Sequence, residues 1–263
     1  LDWLPKTNRT INRVIYEKTS NLLDSTIIVG EQSNQKIINK IKKTISKNKS
    51  QKIIFKKDFN YSINKKKFFY FDNKNKKIKF PLPNLVGDFQ ISNAATAIAT
   101  IKSLKDYKIS DNHIKRGITK VKSIARLQEI KSGKLKKISK NNILLLDGSH
   151  NPLGAFAISK YLNNFDKKKV FLVLGMMNNK DHKSYISYFK NKVYSITAID
   201  IPNQKACIKK EKLKKIIDLF SIKTNCTKNI EDAINAISLK NSNCIILITG
   251  SLYLAGEILN RNK

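Results

Sequence analysis

The chain carries only 3 cysteines, Cys207, Cys226 and Cys244, an odd number with no CxxC pair. That argues against a disulfide framework or a cysteine metal site and makes a reducing cytoplasm the default compartment. No apolar run approaches the length of a membrane span and no signal-peptide pattern opens the sequence, so no membrane partner is expected. Acidic residues number 19 against 52 Lys and Arg, a formal charge of +33. Such a balance suits a nucleic-acid or anion binder. The lysines, however, are spread over the whole chain, and runs such as "NKIKKTISKNKSQK", "KLKKISK" and "KKEKLKKI" hold none of the interleaved aromatic residues that a base-stacking platform would require. A Lys/Asn/Ile-rich composition is the simpler explanation. No nucleic-acid partner is expected, and an anionic substrate remains compatible. The phosphate-loop pattern G-x-x-x-x-G-K-[ST] is also missing: "SGKL" at Ser132–Leu135 lacks the upstream glycine and the hydroxyl after lysine.

What is there is a chain of 263 residues with 41% hydrophobic content, enough for one large or two ordinary domains. The opening "LDWLPKTNRT" reads as the interior of a longer protein. Thr10 is placed to cap a helix over "INRVIYEKTS"; strand "STIIVG", helix "NQKIINKIKKTISK" and strand "QKIIFKK" follow. "KKFFYFDNKNKKIKF" predicts a hairpin around an Asn/Lys turn. A proline-marked connection leads to the alanine-rich helix "ISNAATAIATIKSL", with Asn93 in its first turn, and then to "DNHIKRGITKV", capped by Asp111. Near residue 122 the texture changes. "NILLLD", "VFLVLGMM", "YSITAID" and "CIILITG" are apolar runs of strand length separated by helical patterns. Near-continuous apolar strands alternating with helices predict a mostly parallel sheet covered on both faces, a doubly wound Rossmann-like α/β domain over 122–263.

Ligands of open parallel sheets bind beyond the carboxyl ends of the strands. Three such ends are polar. In "LLLDGSHNPLGA", Asp147, Ser149 and His150 occupy a tight turn before a helix for which Asn151 is a good cap and Pro152 a good first residue. In "LITGSLYLAGE", Gly250 ends a strand and Ser251 can cap a helix whose bare N–H groups favour an anion. In "LGMMNNKDH", Lys180 and Asp181 follow a third strand. Each taken singly is ordinary helix capping or a solvated Lys–Asp pair; three neighbouring exits together point to a site.

Six stretches in order resemble the folylpolyglutamate synthase/dihydrofolate synthase family, within the wider Mur-type ATP-dependent amide ligases. "DGSHNP" is similar to D-G-A-H-N-P, "LDWLP…IYEKTSNLL" to H-x-D-x-L-G…E-K-A-G-I, and "GDFQISNAATAIA" to G-x-H-Q-x-x-N-A-x-x-A. "ARLQEI" resembles G-R-[LF]-[EQ], "LGMMNNKD" resembles G-M-x-x-K-D, and "TGSLYLAGEI" resembles G-S-x-Y-L-x-G. The resemblance implies that residues 1–121 are the C-terminal part of a P-loop-type central ATPase domain, and 122–263 the Rossmann-like ligase domain. It implies an amide ligase that adds L-glutamate to dihydropteroate or a reduced folate. ATP and Mg²⁺ would be used, the intermediate would be an acyl phosphate, and the enzyme would be a cytoplasmic monomer when full length.

Carried over by position, Asn93, Arg126 and Asp147 become nucleotide contacts: Asn93 reading the nucleotide, Arg126 on phosphate oxygens as a planar donor, Asp147 at the ribose. His150 and Ser251 fall beside the transferred phosphoryl group and the incoming glutamate, with Lys180 as a further candidate. Lys18, in "EKTS", corresponds to a lysine that can carry a carbamate beside a magnesium site, where an unmodified cation would repel the metal. Its ordinary reading is a helix lysine paired with Glu17 or solvent. Departures are Phe89 for His, "EKTS" for "EKAG" and Ser149 for Ala. The phosphate loop and the remaining metal ligands are expected upstream, so the chain by itself is expected not to turn over. The alternatives are another Mur-type ligase acting on a UDP-muramyl peptide, a non-catalytic basic nucleic-acid-binding module, and a non-catalytic remnant.

Overall fold

The structure is a computed structural model and describes residues 10–22, 25–65, 67–73, 77–165 and 167–263. The "LDWLP" stretch and the centre of the expected Asn/Lys turn lie outside the described residues. The chain divides into two units between Lys122 and Ser123.

The first unit begins with α1 (Ile11–Thr19), capped by Thr10, whose side chain accepts from the Arg13 amide at 3.2 Å. β1 (Ile27–Val29), α2 (Gln35–Ile45) and β2 (Lys52–Ile54) follow, and β1 and β2 pair in parallel. Asn34 caps α2, and Ile38, Ile41 and Ile45, spaced three and four apart, form one apolar stripe, of which Ile41 and Ile45 pack on this pair. The expected hairpin is the second half of a three-stranded antiparallel sheet of β3 (Phe59–Asn64), β4 (Lys67–Asp72) and β5 (Lys77–Phe80). Its inner face carries Phe59, Phe68, Tyr70, Ile78 and Phe80, which pack against Ile91, Ala95, Ile98 and Ala99 of α3 (Phe89–Ser103). Since α3 starts at Phe89, Asn93 lies in its second turn and not its first. α4 (Asp111–Lys120) is capped by Ser110 in place of Asp111, with the His113 side chain completing a capping box.

The second unit runs β6 (Gln128–Glu129), α5 (Lys134–Ser139), β7 (Ile143–Leu146), α6 (Pro152–Leu162), β8 (Val170–Leu174), α7 (His182–Ser187), β9 (Ser195–Ala198), α8 (Lys210–Asp218), β10 (Thr224–Cys226), α9 (Ile230–Lys240), β11 (Ile245–Thr249) and α10 (Leu252–Arg261). These strands form one sheet in the order β10-β9-β8-β11-β7-β6, parallel except for β6. The continuous apolar runs are explained by two cores. Leu145, Leu172, Leu174, Ile245 and Leu247 face α6, α7 and α8. Their alternating neighbours Leu144, Leu146, Phe171, Val173, Ile246 and Ile248 face α5, α9 and α10. Burying one Leu or Ile is worth about 1.5–3 kcal/mol, so a one-residue slip of any central strand would still bury its side chains, and the helices fix the register. β7 and β8 flank β11. The helix after β7 covers one face and the helix after β11 the other. Adjacent strands whose helices diverge in this way leave a crevice at their carboxyl ends.

Candidate functional site

The β7 exit is built around Asp147, which is 5% exposed. One carboxylate oxygen accepts from the Ser149 amide at 2.8 Å and the other from the Leu127 amide at 2.8 Å. The first bond shapes the turn; the second ties the turn to the segment before β6. That segment is strained: Ala125 and Leu127 have φ of 54° and 48°, the left-handed region that non-glycine residues avoid. Three bonds hold it there, from Leu127 to Asp147, from the Ala125 amide to the Gln128 side chain at 2.9 Å, and from the Gly148 amide to the Ala125 carbonyl at 2.8 Å. Arg126 sits between the two strained residues and is exposed. Asp147 thereby fixes the backbone that presents Arg126.

After Gly148 the chain turns into α6. Asn151 caps it, accepting from the Gly154 amide at 2.9 Å, and Pro152 opens the helix. A side chain on Gly154 would come within 2.5 Å of Ser149 Cβ, so glycine permits the close return of the loop. His150 is half-buried, and its Nδ1 lies 3.1 Å from the Gly148 carbonyl. With the proton on Nδ1, Nε2 is the acceptor left for chemistry.

The β11 exit meets this loop directly: the Gly250 amide donates to the Ser149 carbonyl at 3.1 Å. Gly250 has φ of 110°, and a Cβ there would lie 2.5 Å from the Gly175 carbonyl; only glycine allows both the turn and the approach of the β8 exit. Ser251, 2% exposed, accepts from the Tyr253 amide at 3.1 Å and caps α10. The Gly175 amide in turn donates to Thr249 at 3.3 Å. Lys180 stands in the β8–α7 loop, where the Asp181 side chain caps α7 by accepting from Ser184 at 3.1 Å. Arg126, Asp147, His150 and Ser251 thus gather on mutually bonded segments, with Lys180 on the next exit.

Sequence reasoning missed what lies beneath. Tyr185 of α7 is fully buried, with its hydroxyl 2.8 Å from Thr249 Oγ1 and 3.3 Å from both the Ser149 carbonyl and Ser149 Oγ. Burial pushes its pKa well above the ordinary phenol value. The only signal was a tyrosine on the apolar face of a short helix four residues after a cap.

Lys18 and Asn93 belong to the first unit. Lys18 lies in the last turn of α1 and is exposed, and the neighbouring Glu17 pairs with Arg13. Asn93 is exposed on α3 and donates to the Gln90 side chain at 3.1 Å. Among the described residues no group of three or more His, Cys, Asp or Glu could hold a metal ion. The donors present therefore do not fit a complete magnesium site. A concavity of about 480 Å³ in this unit, lined by Lys52, Asp58, Tyr70, Asp72 and Lys102 among others, includes neither Lys18 nor Asn93.

The chain and its fold are similar to those of known proteins. Residues 128–261 match the family model described as "Dihydrofolate synthetase, C-terminal domain", just over half of the chain. A dihydrofolate synthase/folylpolyglutamate synthase of Buchnera aphidicola is 28% identical over 172 residues, 65% of this chain and 39% of the relative. The Bacillus subtilis protein of the same description is 26% identical over 186 residues, 68% of this chain and 40% of the relative. The chain thus spans about 40% of the length of these relatives. Among solved structures, a bifunctional folylpolyglutamate synthase/dihydrofolate synthase of Yersinia pestis with AMPPNP and Mn superposes with a TM-score of 0.81 at 18% identity, over 99% of this chain and 58% of that one. E. coli FolC in complex with DHPP and ADP gives 0.78 at 19% identity, over 98% of this chain and 58% of that one. The structural likeness speaks to fold, and the match over residues 128–261 to descent: this chain belongs to the dihydrofolate synthetase C-terminal domain family.

Proposed function

We propose that this chain is part of an ATP-dependent carboxylate–amine ligase that adds L-glutamate to dihydropteroate or a reduced folate through an acyl phosphate. The observation that carries the reading is the junction of the β7 and β11 exits, bonded from Gly250 to Ser149 at 3.1 Å, which sets His150 beside the N-termini of α6 and α10. Two helix N-termini and an exposed arginine make a cationic, donor-rich rim suited to an anionic acyl phosphate and to glutamate. Solved relatives hold ADP, DHPP, Mn, AMPPNP or L-glutamate, which supports small-molecule substrates of these classes.

In this reading Arg126 contacts phosphate oxygens, Asp147 orients the Arg126 backbone and lies near the ribose, and Asn93 contacts the nucleotide. His150 Nε2 takes or orients a proton of the attacking amine, Ser251 holds the helix end that receives glutamate, and Lys180 adds positive charge. Mg²⁺ would supply charge neutralisation. Carbamylated Lys18 is the one ligand proposed from this chain, and no step here runs through the ion. The 1–121 segment is read as the end of the central ATPase domain. The reading places the protein in the cytoplasm as a monomer, without nucleic-acid or membrane partners; among the described residues no helix is long and apolar enough to cross a membrane.

The test is ADP release by the full-length protein, dependent on glutamate and on dihydropteroate or a reduced folate. His150→Ala should lower kcat by roughly 10²-fold or more with its melting temperature unchanged. Full activity in that variant rejects the role of His150, and a wild-type protein that ignores glutamate rejects the reading.

A further inference from the structure

The hydroxyls of Tyr185, Ser149 and Thr249 form a closed set. Tyr185 can donate its single proton to the Ser149 carbonyl at 3.3 Å. Its oxygen can then accept from Thr249 Oγ1 at 2.8 Å and from Ser149 Oγ at 3.3 Å. All three protons and the phenol lone pairs are then used. Burial and the nearby Asp147 keep the phenol protonated, so the donor persists. The Ser149 carbonyl belongs to the peptide group that carries the His150 amide. It receives two donors, the Gly250 amide at 3.1 Å and the Tyr185 hydroxyl, which fixes the tilt of that peptide and the direction in which His150 leaves the backbone. Thr249 is the residue before Gly250, and α7 begins just after Lys180. One buried hydroxyl therefore joins the three segments that carry His150, Ser251 and Lys180.

We infer that Tyr185 is a positioning residue that locks the β7–α6 loop to the β11–α10 turn through Ser149 and Thr249, and so sets His150 against the helix end capped by Ser251. Its kinetic consequence rests on the glutamate-ligase reading, but the lock itself does not.

The lock is tested by amide hydrogen exchange on the full-length protein, comparing wild type with Tyr185→Phe and with Thr249→Val, which keeps the β-branched shape and loses the hydroxyl. Exchange over residues 147–151 and 249–252 should rise about 10-fold in either variant while β8 and β9 keep wild-type protection. Should Tyr185→Phe fail to fold, Thr249→Val carries the test. In the ligase assay the KM for glutamate should rise several-fold with the KM for ATP unchanged, and the double variant should be no worse than the poorer single one. A loss of folded protein alone would lower kcat and leave both KM values in place. Unchanged exchange in both segments, a rise spread evenly into β8 and β9, or unchanged KM for glutamate overturns the inference. A wild-type protein that does not use glutamate overturns the activity reading only, because exchange still decides the lock.

Discussion

Asp147 is the residue on which the site's backbone turns. Both of its oxygens accept backbone amides, those of buried Leu127 and half-buried Ser149, so its first duty is structural whatever ligand it also meets. Removing it strands two donors. A buried unsatisfied group costs about 1–3 kcal/mol, and Asp147→Ala should therefore lose about 2–6 kcal/mol in urea unfolding. Asp147→Asn keeps one acceptor but turns an NH₂ toward the other amide, so it should recover little. An Asn variant of wild-type stability would show that the second acceptor is dispensable. It follows that loss of activity in Asp147→Ala says nothing about nucleotide contact, whereas His150→Ala is informative because His150 is half-buried and only its Nδ1 is bonded to the loop. The strand-mouth residues were legible in the sequence because an acid, a histidine and a helix cap fell together at the end of an apolar run. The strain at Ala125 and Leu127 was not, since nothing in "ARLQ" announces a left-handed backbone; it is held by the Asp147 carboxylate arriving from 20 residues away, together with the Gln128 side chain and the Gly148 amide. Ser149, where the resembling motif has alanine, has a physical account in its hydroxyl contact with Tyr185.

At the level of elements, two glycines of the last strand–helix unit have opposite roles. Gly250 combines φ of 110° with a carbonyl 2.5 Å from any added Cβ, whereas Gly256, inside α10, has nothing within 4 Å of one. Gly250→Ala should cost at least about 1–3 kcal/mol from backbone strain and push the β8 and β11 exits apart. Gly256→Ala should gain about 0.5–1 kcal/mol from helix propensity. Thermal melts of the two variants, read side by side, should move in opposite directions. The aromatic sheet of the first unit gives a pH signature. Burial, aided for Tyr61 by its hydrogen bond to Glu31 at 2.7 Å, pushes the Tyr61 and Tyr70 phenols up to about 12 from 10.0. The folded state thus favours the neutral phenol. The resulting stability is complete below pH 10 and fades as pH climbs toward about 12. Urea midpoints should fall over that interval, and fall less when both residues are Phe; an identical slope in the double variant would assign the loss to other groups. The apolar strands β8 and β11, and β9 within the run "YSITAID", could be read directly because burial on both faces leaves little ambiguity. β10, "TNC", β6, of two residues, and half-exposed β3, "FNYSIN", could not, because short or polar edge strands carry little periodic signal and are defined by their partners.

Over the whole molecule, composition and organisation gave different kinds of information. The change of texture near residue 122 coincides with the division between Lys122 and Ser123 because the two units bury different things. One packs an aromatic meander under an alanine-rich helix, the other packs aliphatic strands between two helix layers. The charge of +33 left no comparable mark on the fold. The 19 acidic residues cannot pair 52 cations, and several that do form pairs, such as Asp218 with Lys214 and Glu129 with Lys131, are exposed, where an ion pair contributes little. Repulsion among the remaining lysines should therefore outweigh specific attraction. Such repulsion acts over a Debye length of about 30 Å at 0.01 M salt and about 3 Å at 1 M, so added sodium chloride should raise the melting temperature steadily and then level off once lysines on neighbouring elements no longer sense one another. Sodium sulfate would confound this by strengthening hydrophobic burial; chloride isolates the screening. A melting temperature that falls on adding chloride would mean that the few exposed pairs outweigh the mutual repulsion of the lysines, contrary to the excess of 52 cations over 19 acids.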